Sequence, residues 1–126
     1  MRFTIRTELE DEHELRSLNE IEWAVDRLES EPGSFLCIEP ESPIDGITYL
    51  QAAYIRKTKG LFRKKTVASY YQVEVQEKKP NGDLYQYCFD TNDREMAAGI
   101  ICAFYESKHF PDLSKWECEL FYKAEE

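Results

Sequence analysis

The chain has 126 residues, of which 42% are hydrophobic and 13% aromatic, and this length fits a single domain spanning residues 1–126. Twenty-five acidic and sixteen basic residues give a net charge of −9, which opposes binding of the whole molecule to nucleic acid or to anionic lipid. No apolar run approaches the roughly 18 residues of a membrane helix. The first residues contain no apolar segment suited to a secretory signal, so a cytoplasmic protein with no membrane partner is expected.

The amino-terminal elements are predicted to be a strand and a helix. Residues 3–9 alternate apolar with polar side chains, which is the period of a strand with one buried face. From about Asp11 to Ser30, apolar residues recur at spacings of three and four, which predicts a helix with a single apolar stripe. Glu-Pro-Gly at residues 31–33 ends this helix.

Four strands are predicted in the middle of the chain. Residues 34–40 and 47–55 are rich in β-branched and aromatic side chains and are separated by turn-forming residues. A longer strand at residues 66–77 turns at Asn81-Gly82 into a partner strand at residues 84–89. Alternation in the longer strand places Val67, Tyr71, Val73 and Val75 on one face and Tyr70, Gln72, Glu74 and Gln76 on the other.

A second helix and a closing strand complete the predicted order. Asn92 and Glu95 fit a capping box, and an apolar stripe follows to about Lys108. Residues 116–122 alternate again and form the last strand. The order β-α-β-β-β-β-α-β, with short connections between the central strands, predicts an α+β domain. In this domain a mainly antiparallel sheet of about six strands carries two helices on one face.

Charge is distributed unevenly along the chain. Residues 8–31 contain ten acidic side chains against Arg16 and Arg27, whereas residues 56–65 contain six basic side chains and no acid. The acidic segment is either a solvated helix face that maintains solubility or a surface that steers the protein toward a basic partner. The basic segment includes Leu61 and Phe62, and an aromatic residue placed among basic side chains can bind single-stranded nucleic acid. The negative net charge of the chain makes such a partner unexpected.

The residues needed for catalysis or metal binding do not form a recognisable pattern. His13 is predicted to be a solvated surface residue, and His109 fits a cation near the carboxyl end of the second helix. The four cysteines have no CxxC spacing, and the glycines match neither GxGxxG nor a phosphate-binding loop. We therefore expect no cofactor and no metal, and an enzyme is the least favoured class of function.

Partner-binding residues are predicted from an off-stripe aromatic on the first helix. Trp23 lies about 140° from the apolar stripe on a helical wheel, so it faces away from the stripe. Such a tryptophan is either covered by a strand or loop or exposed as an anchor for a partner. Its acidic neighbours Glu20, Glu22 and Asp26 complete the candidate patch on the helix. Tyr70 and Gln72 are further candidates on the outer face of the sheet, with packing under the helices as the alternative.

The segments at residues 34–40, 47–54, 70–93, 97–110 and 112–117 follow one another in an order that resembles the small α+β immunity proteins of bacterial polymorphic or contact-dependent toxin systems. The resemblance implies an intracellular, non-catalytic protein that binds one cognate toxin domain and blocks its active site or substrate entry. It implies no specific binding residue in this chain. An acidic surface would suit a toxin that presents a basic, nucleic-acid-binding cleft.

The leading hypothesis is accordingly a non-catalytic protein-binding module that blocks a cognate toxin domain through an acidic surface. The alternative is a structural or regulatory subunit that associates with itself or with another chain through an exposed sheet edge or helix. A small enzyme is the third hypothesis, and the oligomeric state stays open.

Overall fold

The computed structural model describes residues 2–59, 65–107 and 113–124. The chain forms seven strands, two α-helices and one short 3-10 helix. In chain order these are β1 (Phe3–Thr7), β2 (His13–Leu15), α1 (Leu18–Ser30), β3 (Phe35–Pro40), β4 (Ile47–Lys59), β5 (Lys65–Lys78), β6 (Leu84–Thr91), α2 (Arg94–Ser107), the 3-10 helix (Leu113–Lys115) and β7 (Glu117–Tyr122).

The seven strands form one antiparallel sheet in the order β2-β1-β3-β4-β5-β6-β7. Strand β3 lies beside β1 because α1 carries the chain from β2 back across one face of the sheet, while the strands from β3 to β6 follow one another as hairpins. The α+β prediction is confirmed, including the two helices. Among the described residues the helices span 13 and 14 residues, and none is long and apolar enough to cross a membrane.

The beginning of the first helix differs from the prediction. His13–Leu15 is not helical but forms strand β2, which pairs with β1 and raises the strand count from about six to seven. The helix begins at Leu18 because Ser17 adopts an extended conformation with φ −154°. The carboxylate of Glu20 accepts a hydrogen bond of 2.8 Å from the backbone N–H of Arg16, which satisfies a donor at the start of the helix.

The predicted strands in the middle of the chain and the second helix are present, with one change of residue at the cap of that helix. Its predicted end at Lys108 lies outside the described residues. The turn between β5 and β6 contains Gly82 at φ +96°, a conformation that glycine adopts without steric cost. The amino-terminal cap of α2 is Asp93 rather than Asn92, because the Asp93 carboxylate accepts hydrogen bonds from the backbone N–H groups of Glu95 and Met96.

The core lies between the helices and one face of the sheet. Ile21 and Val25 from α1 and Ile101 and Phe104 from α2 are fully buried against the strands. The ring of Phe104 packs edge-on against Phe3, with ring centroids 5.5 Å apart. Apolar side chains that alternate along β1, β3, β4 and β5 complete this layer.

The opposite face of the sheet carries no helix in the described part of the chain. On β5, Tyr71, Val73 and Val75 are buried under the helices, so the intervening Tyr70 and Gln72 point to the other side. We call this side the open face. Its described residues on the three strands nearest the β7 edge include Tyr70, Gln72, Glu74, Gln76, Lys78, Leu84, Gln86, Cys88, Asp90, Glu117 and Glu119.

Candidate functional site

Trp23 faces away from the apolar stripe, and of the two alternatives, covered or exposed, the structure shows the exposed one. Its side chain is 46% exposed, and the guanidinium of Arg27 lies over its ring at 5.1 Å from the centroid. Arg27 is held in turn by the carboxylates of Glu8 and Glu31, at 3.1 and 2.9 Å. Trp23 therefore sits on the surface of α1 beside a cation whose charge is balanced within the chain.

Glu22 and Asp26 do not surround Trp23 but face the second helix. Arg94 at the start of α2 reaches both of them, with nitrogen–oxygen distances of 2.6 Å to Glu22 and 2.7 Å to Asp26. A third ion pair of 2.8 Å joins Arg94 to Glu95. These contacts raise the pKa of Arg94 above its usual value, chiefly through the hydrogen bond to Glu22. Two of the predicted partner-binding acids are thus occupied in joining the helices.

Glu20 is also paired. Its partner is His13, which the sequence predicts to lie in the same helix. His13 of β2 lies 2.9 Å from one Glu20 oxygen through Nε2, and its Nδ1 lies 3.1 Å from the backbone carbonyl of Asp11. Both ring nitrogens therefore face acceptors, an arrangement that the doubly protonated imidazolium satisfies. The hydrogen bond to Glu20 raises the pKa of His13 above its ordinary value. His13 is a half-buried ion-pair partner rather than a solvated residue.

A groove separates α1 from the β1–β2 hairpin next to these residues. Its volume is about 290 Å³. We call it the Trp23 groove, and its lining residues are Ile5, Thr7, Glu10, His13, Asn19, Glu20 and Trp23. Two of the predicted site residues, Trp23 and Glu20, share this groove.

Tyr70 and Gln72 lie on the opposite side of the molecule. Both belong to the open face of β5, where the Gln72 amide donates a hydrogen bond of 3.3 Å to Asp90. The sheet separates them from α1, which packs on the other face. The predicted site therefore divides into two surfaces, the Trp23 groove and the open face.

The strand register assembles acidic side chains on the open face. Glu74 of β5 pairs with Cys88 of β6, which pairs with Glu117 of β7, so these three residues form one row across the sheet. The next row brings Gln86 beside Glu119. We call the carboxylates Glu74, Asp90, Glu117 and Glu119 the acidic sheet patch.

A hydrogen-bond chain orients one member of this patch. The hydroxyl of Tyr49 on β4 donates to Oε1 of Gln86 at 3.2 Å, and the Gln86 amide nitrogen donates to Oε2 of Glu74 at 3.1 Å. Gln86 is fixed at both ends, so the Glu74 carboxylate is held in one orientation. An acceptor held in this way loses less entropy when a partner binds to it.

The acidic sheet patch differs from the acidic segment of α1 in its charge balance. No member of the patch forms an ion pair with a described residue. Burial and the charges of Asp90, Glu74 and Glu117 together raise the pKa of the Cys88 thiol to about 12, since both disfavour a thiolate. The acidic sheet patch thus carries uncompensated negative charge, whereas Glu20, Glu22 and Asp26 on α1 are paired.

Sequence reasoning missed most of this patch. Glu74 was assigned to the outer sheet face, but the register that brings Glu117 and Glu119 beside it could not be derived before the strand order was known. His109 and residues 60–64 of the basic segment lie outside the described residues. Within the described ranges, no three histidine, cysteine or acidic side chains come together in an arrangement that could hold a metal ion.

Comparisons of the chain with protein-family models, with curated proteins and with solved structures found no match. Its function is therefore inferred from the geometry and charge of the two surfaces described above.

Proposed function

We propose that the protein is a non-catalytic binding module whose open face binds a basic surface of another protein. The observation that carries this proposal is the acidic sheet patch, in which four carboxylates have no cationic partner among the described residues. Like charges on a rigid sheet repel one another, and a partner that supplies the opposite charge offsets this repulsion when it binds. They also accelerate encounter with that partner through long-range attraction.

The composition of the open face supports binding of a protein rather than of a small ion. Tyr49 and Tyr70 are partly buried on this face; Tyr49 lies beside Gln76, and Tyr70 lies beside Ile55 and Gln72. Tyrosine is enriched at protein interfaces because its ring packs while its hydroxyl forms hydrogen bonds. A β-sheet without a covering layer also provides a broad surface of fixed shape.

In its most specific form, the proposal is that the partner is a toxin domain with a basic cleft, which the protein occupies and blocks in the cytoplasm. The resemblance of the segment order to immunity proteins supports this form, and so does the match between an acidic surface and a cleft built for polyanions. Blocking requires shape and charge but no catalytic residue or cofactor. If the partner is basic but is not a toxin, the proposed binding function still holds and the toxin-blocking form of the proposal is excluded.

The test compares two triple variants with the same change of net charge. Glu74→Gln/Glu117→Gln/Glu119→Gln removes three charges from the open face. The control, Glu31→Gln/Glu95→Gln/Glu106→Gln, removes three exposed charges outside the open face, where single ion pairs contribute little. Each protein is immobilised and used at low salt to retain partners from extracts of its own cells.

A protein retained by the wild type and by the control variant but lost by the open-face variant is the expected result. Association of that protein, once purified, should slow at least about tenfold with the open-face variant and should depend less on salt. Equal retention by the two variants would exclude the acidic sheet patch as the binding surface. Mass spectrometry of the retained protein then decides whether it is a toxin domain.

A second candidate function rests on the edge strand β7. Leu120 and Tyr122 are 48% and 52% exposed at this edge, and β7 pairs with no strand other than β6 in the described part of the chain. Such an edge can accept a further strand, which favours a subunit that associates with itself or with another chain. Light scattering tests self-association: a dimer that Leu120→Lys dissociates would support it, and a monomer at high concentration would oppose it.

A further inference from the structure

The Trp23 groove lies apart from the open face and has the dimensions of a site for one side chain. Its volume of about 290 Å³ is close to the lower limit of about 300 Å³ for small-molecule pockets. The groove is bounded by α1 on one side and by the β1–β2 hairpin on the other. Both boundaries belong to the packed fold, so the groove is already formed without a ligand.

The lining of the groove changes from apolar to acidic. Ile5, only 2% exposed, lies at the buried end, and Trp23 provides an aromatic wall. The carboxylates of Glu10 and Glu20 are more exposed, with side chains 53% and 33% accessible. A guest that fits this gradient has an apolar stem and a cationic head.

Among the described lining residues, His13 is the only one that can carry a positive charge, and it already contacts both acids. His13 lies 2.9 Å from Glu20 and 3.7 Å from Glu10, while β1 presents the uncharged Ile5 at the paired position. The neighbours of His13 in the sequence, Glu12 and Glu14, add further negative charge. When His13 loses its proton, the two acids in the lining have no positive charge between them.

We propose that the Trp23 groove binds an arginine side chain presented by a protein partner. A guanidinium stacks on an indole ring and forms two parallel hydrogen bonds with a carboxylate, which an ammonium group cannot do. The chain already shows this chemistry, since the guanidinium of Arg27 lies over the ring of Trp23. Free arginine is disfavoured as the guest because the groove acids would repel its α-carboxylate. Binding of an arginine in this groove does not depend on the binding proposed for the open face.

Binding of the guest is linked to the proton on His13. The arginine and the protonated His13 compete for Glu10 and Glu20, so the guest is expected to displace the proton. Raising the pH through the titration of His13 should therefore strengthen binding, and lowering it should weaken binding. A single side chain in a shallow groove gives an affinity of the order of millimolar.

The experiment titrates the full chain with Nα-acetyl-arginine amide and follows the indole signal of Trp23 and the ring signals of His13 by NMR. Trp116 is 9% exposed on the other side of the core and serves as the internal reference. The matched probe is Nα-acetyl-citrulline amide, which has almost the same shape and no charge. We expect saturation by the arginine probe at millimolar concentration, at least about tenfold weaker binding of the citrulline probe, and tighter binding at pH 8 than at pH 6.

A charge variant locates the site. Glu10→Gln removes an acid whose side chain forms no ion pair with a described residue other than that with His13 at 3.7 Å, so it should leave the melting temperature nearly unchanged and weaken the arginine probe about three- to tenfold. Glu106→Gln on α2 removes the same charge outside the groove and should leave the affinity unchanged. Equal responses to the arginine and citrulline probes, or equal affinities of the two variants, would overturn the proposal. So would shifts at Trp116 that match those at Trp23.

Discussion

Replacing Glu117 and Glu119 together by glutamine is expected to increase the stability of the protein. These side chains lie on the open face beside Glu74 and have no cationic partner among the described residues, so the native state contains their mutual repulsion. Removing two charges relieves this repulsion without changing the size of the side chains. The opposite result is expected on α1, where Glu22→Gln with Asp26→Asn removes two partners of Arg94.

The size of the gain follows from the positions of the three carboxylates in the sheet. Glu117 and Glu119 are two residues apart on one strand, about 6.7 Å, and Glu74 lies two strands from Glu117, about 9.5 Å. With the dielectric constant of water and a Debye length of about 8 Å, the repulsion amounts to about 0.3 kcal/mol for the first pair and about 0.1 kcal/mol for the second. The total, with the diagonal pair, is about 0.5 kcal/mol at physiological salt and about 1 kcal/mol at 10 mM salt.

Calorimetry at the two salt concentrations measures this effect. For a chain of 126 residues, the gain corresponds to a rise in melting temperature of about 2 °C at physiological salt and about 4 °C at 10 mM salt. The double variant on α1 should melt at a lower temperature than the wild type under both conditions. A decrease in melting temperature for Glu117→Gln/Glu119→Gln, or a gain that does not grow at low salt, would refute the assignment of uncompensated charge to the acidic sheet patch.

Three further outcomes are expected. Arg94→Met removes the 25%-exposed cation shared by the helices and should lower the free energy of unfolding by about 1–2 kcal/mol in urea titrations; a change below about 0.3 kcal/mol would contradict the role of Arg94. The pKa of His13 is raised in the folded state, so its stabilising effect is complete below its unfolded pKa of about 6.5 and is lost as the pH rises through the folded pKa. His13→Gln should therefore be less stable than the wild type at pH 5.5 and nearly equal to it at pH 9, as measured by thermal unfolding. At pH 8, a thiol-specific reagent should modify the exposed Cys118 before the buried Cys37, because burial shields the Cys37 thiol and raises its pKa to about 11; mass spectrometry of digested protein gives the order.

Much of the fold could be predicted because the spacing of apolar residues along the chain reflects which side chains are buried. The alternation of Tyr71, Val73 and Val75 with polar neighbours identifies both the strand and its buried face. The orientation of Trp23 away from the apolar stripe follows from its angle on the helical wheel, but its exposure depends on whether another element covers it. The start of α1 could also have been located, since Ser17 and Glu20 have the spacing of a capping box. The helical spacing of apolar residues continues back to Leu15 and therefore hides this signal. In the structure Leu15 is buried in a strand and is not part of the helix.

The charge balance of the candidate site could not be predicted in the same way. Arg94 pairs with Glu22 across 72 residues, and no local pattern predicts a contact over that separation. The acidic sheet patch depends on the register of three strands, which is fixed by turns and by packing rather than by the acids themselves. Counting charges along the chain therefore identified α1 as the acidic surface, whereas the tertiary contacts neutralise much of it.

The contact between the helices also bears on how the chain acquires its fold during synthesis. Glu22 leaves the ribosome long before Arg94, and the hydroxyl of Tyr105 contacts the backbone of Leu15 across 90 residues. Until α2 has emerged from the ribosome, the acidic side chains of α1 lack their partner Arg94. The part of the apolar stripe of α1 that α2 covers also stays exposed. The nascent amino-terminal half is thus expected to stay unfolded until the last quarter of the chain is made, because contacts between distant parts of the chain form late and slow folding.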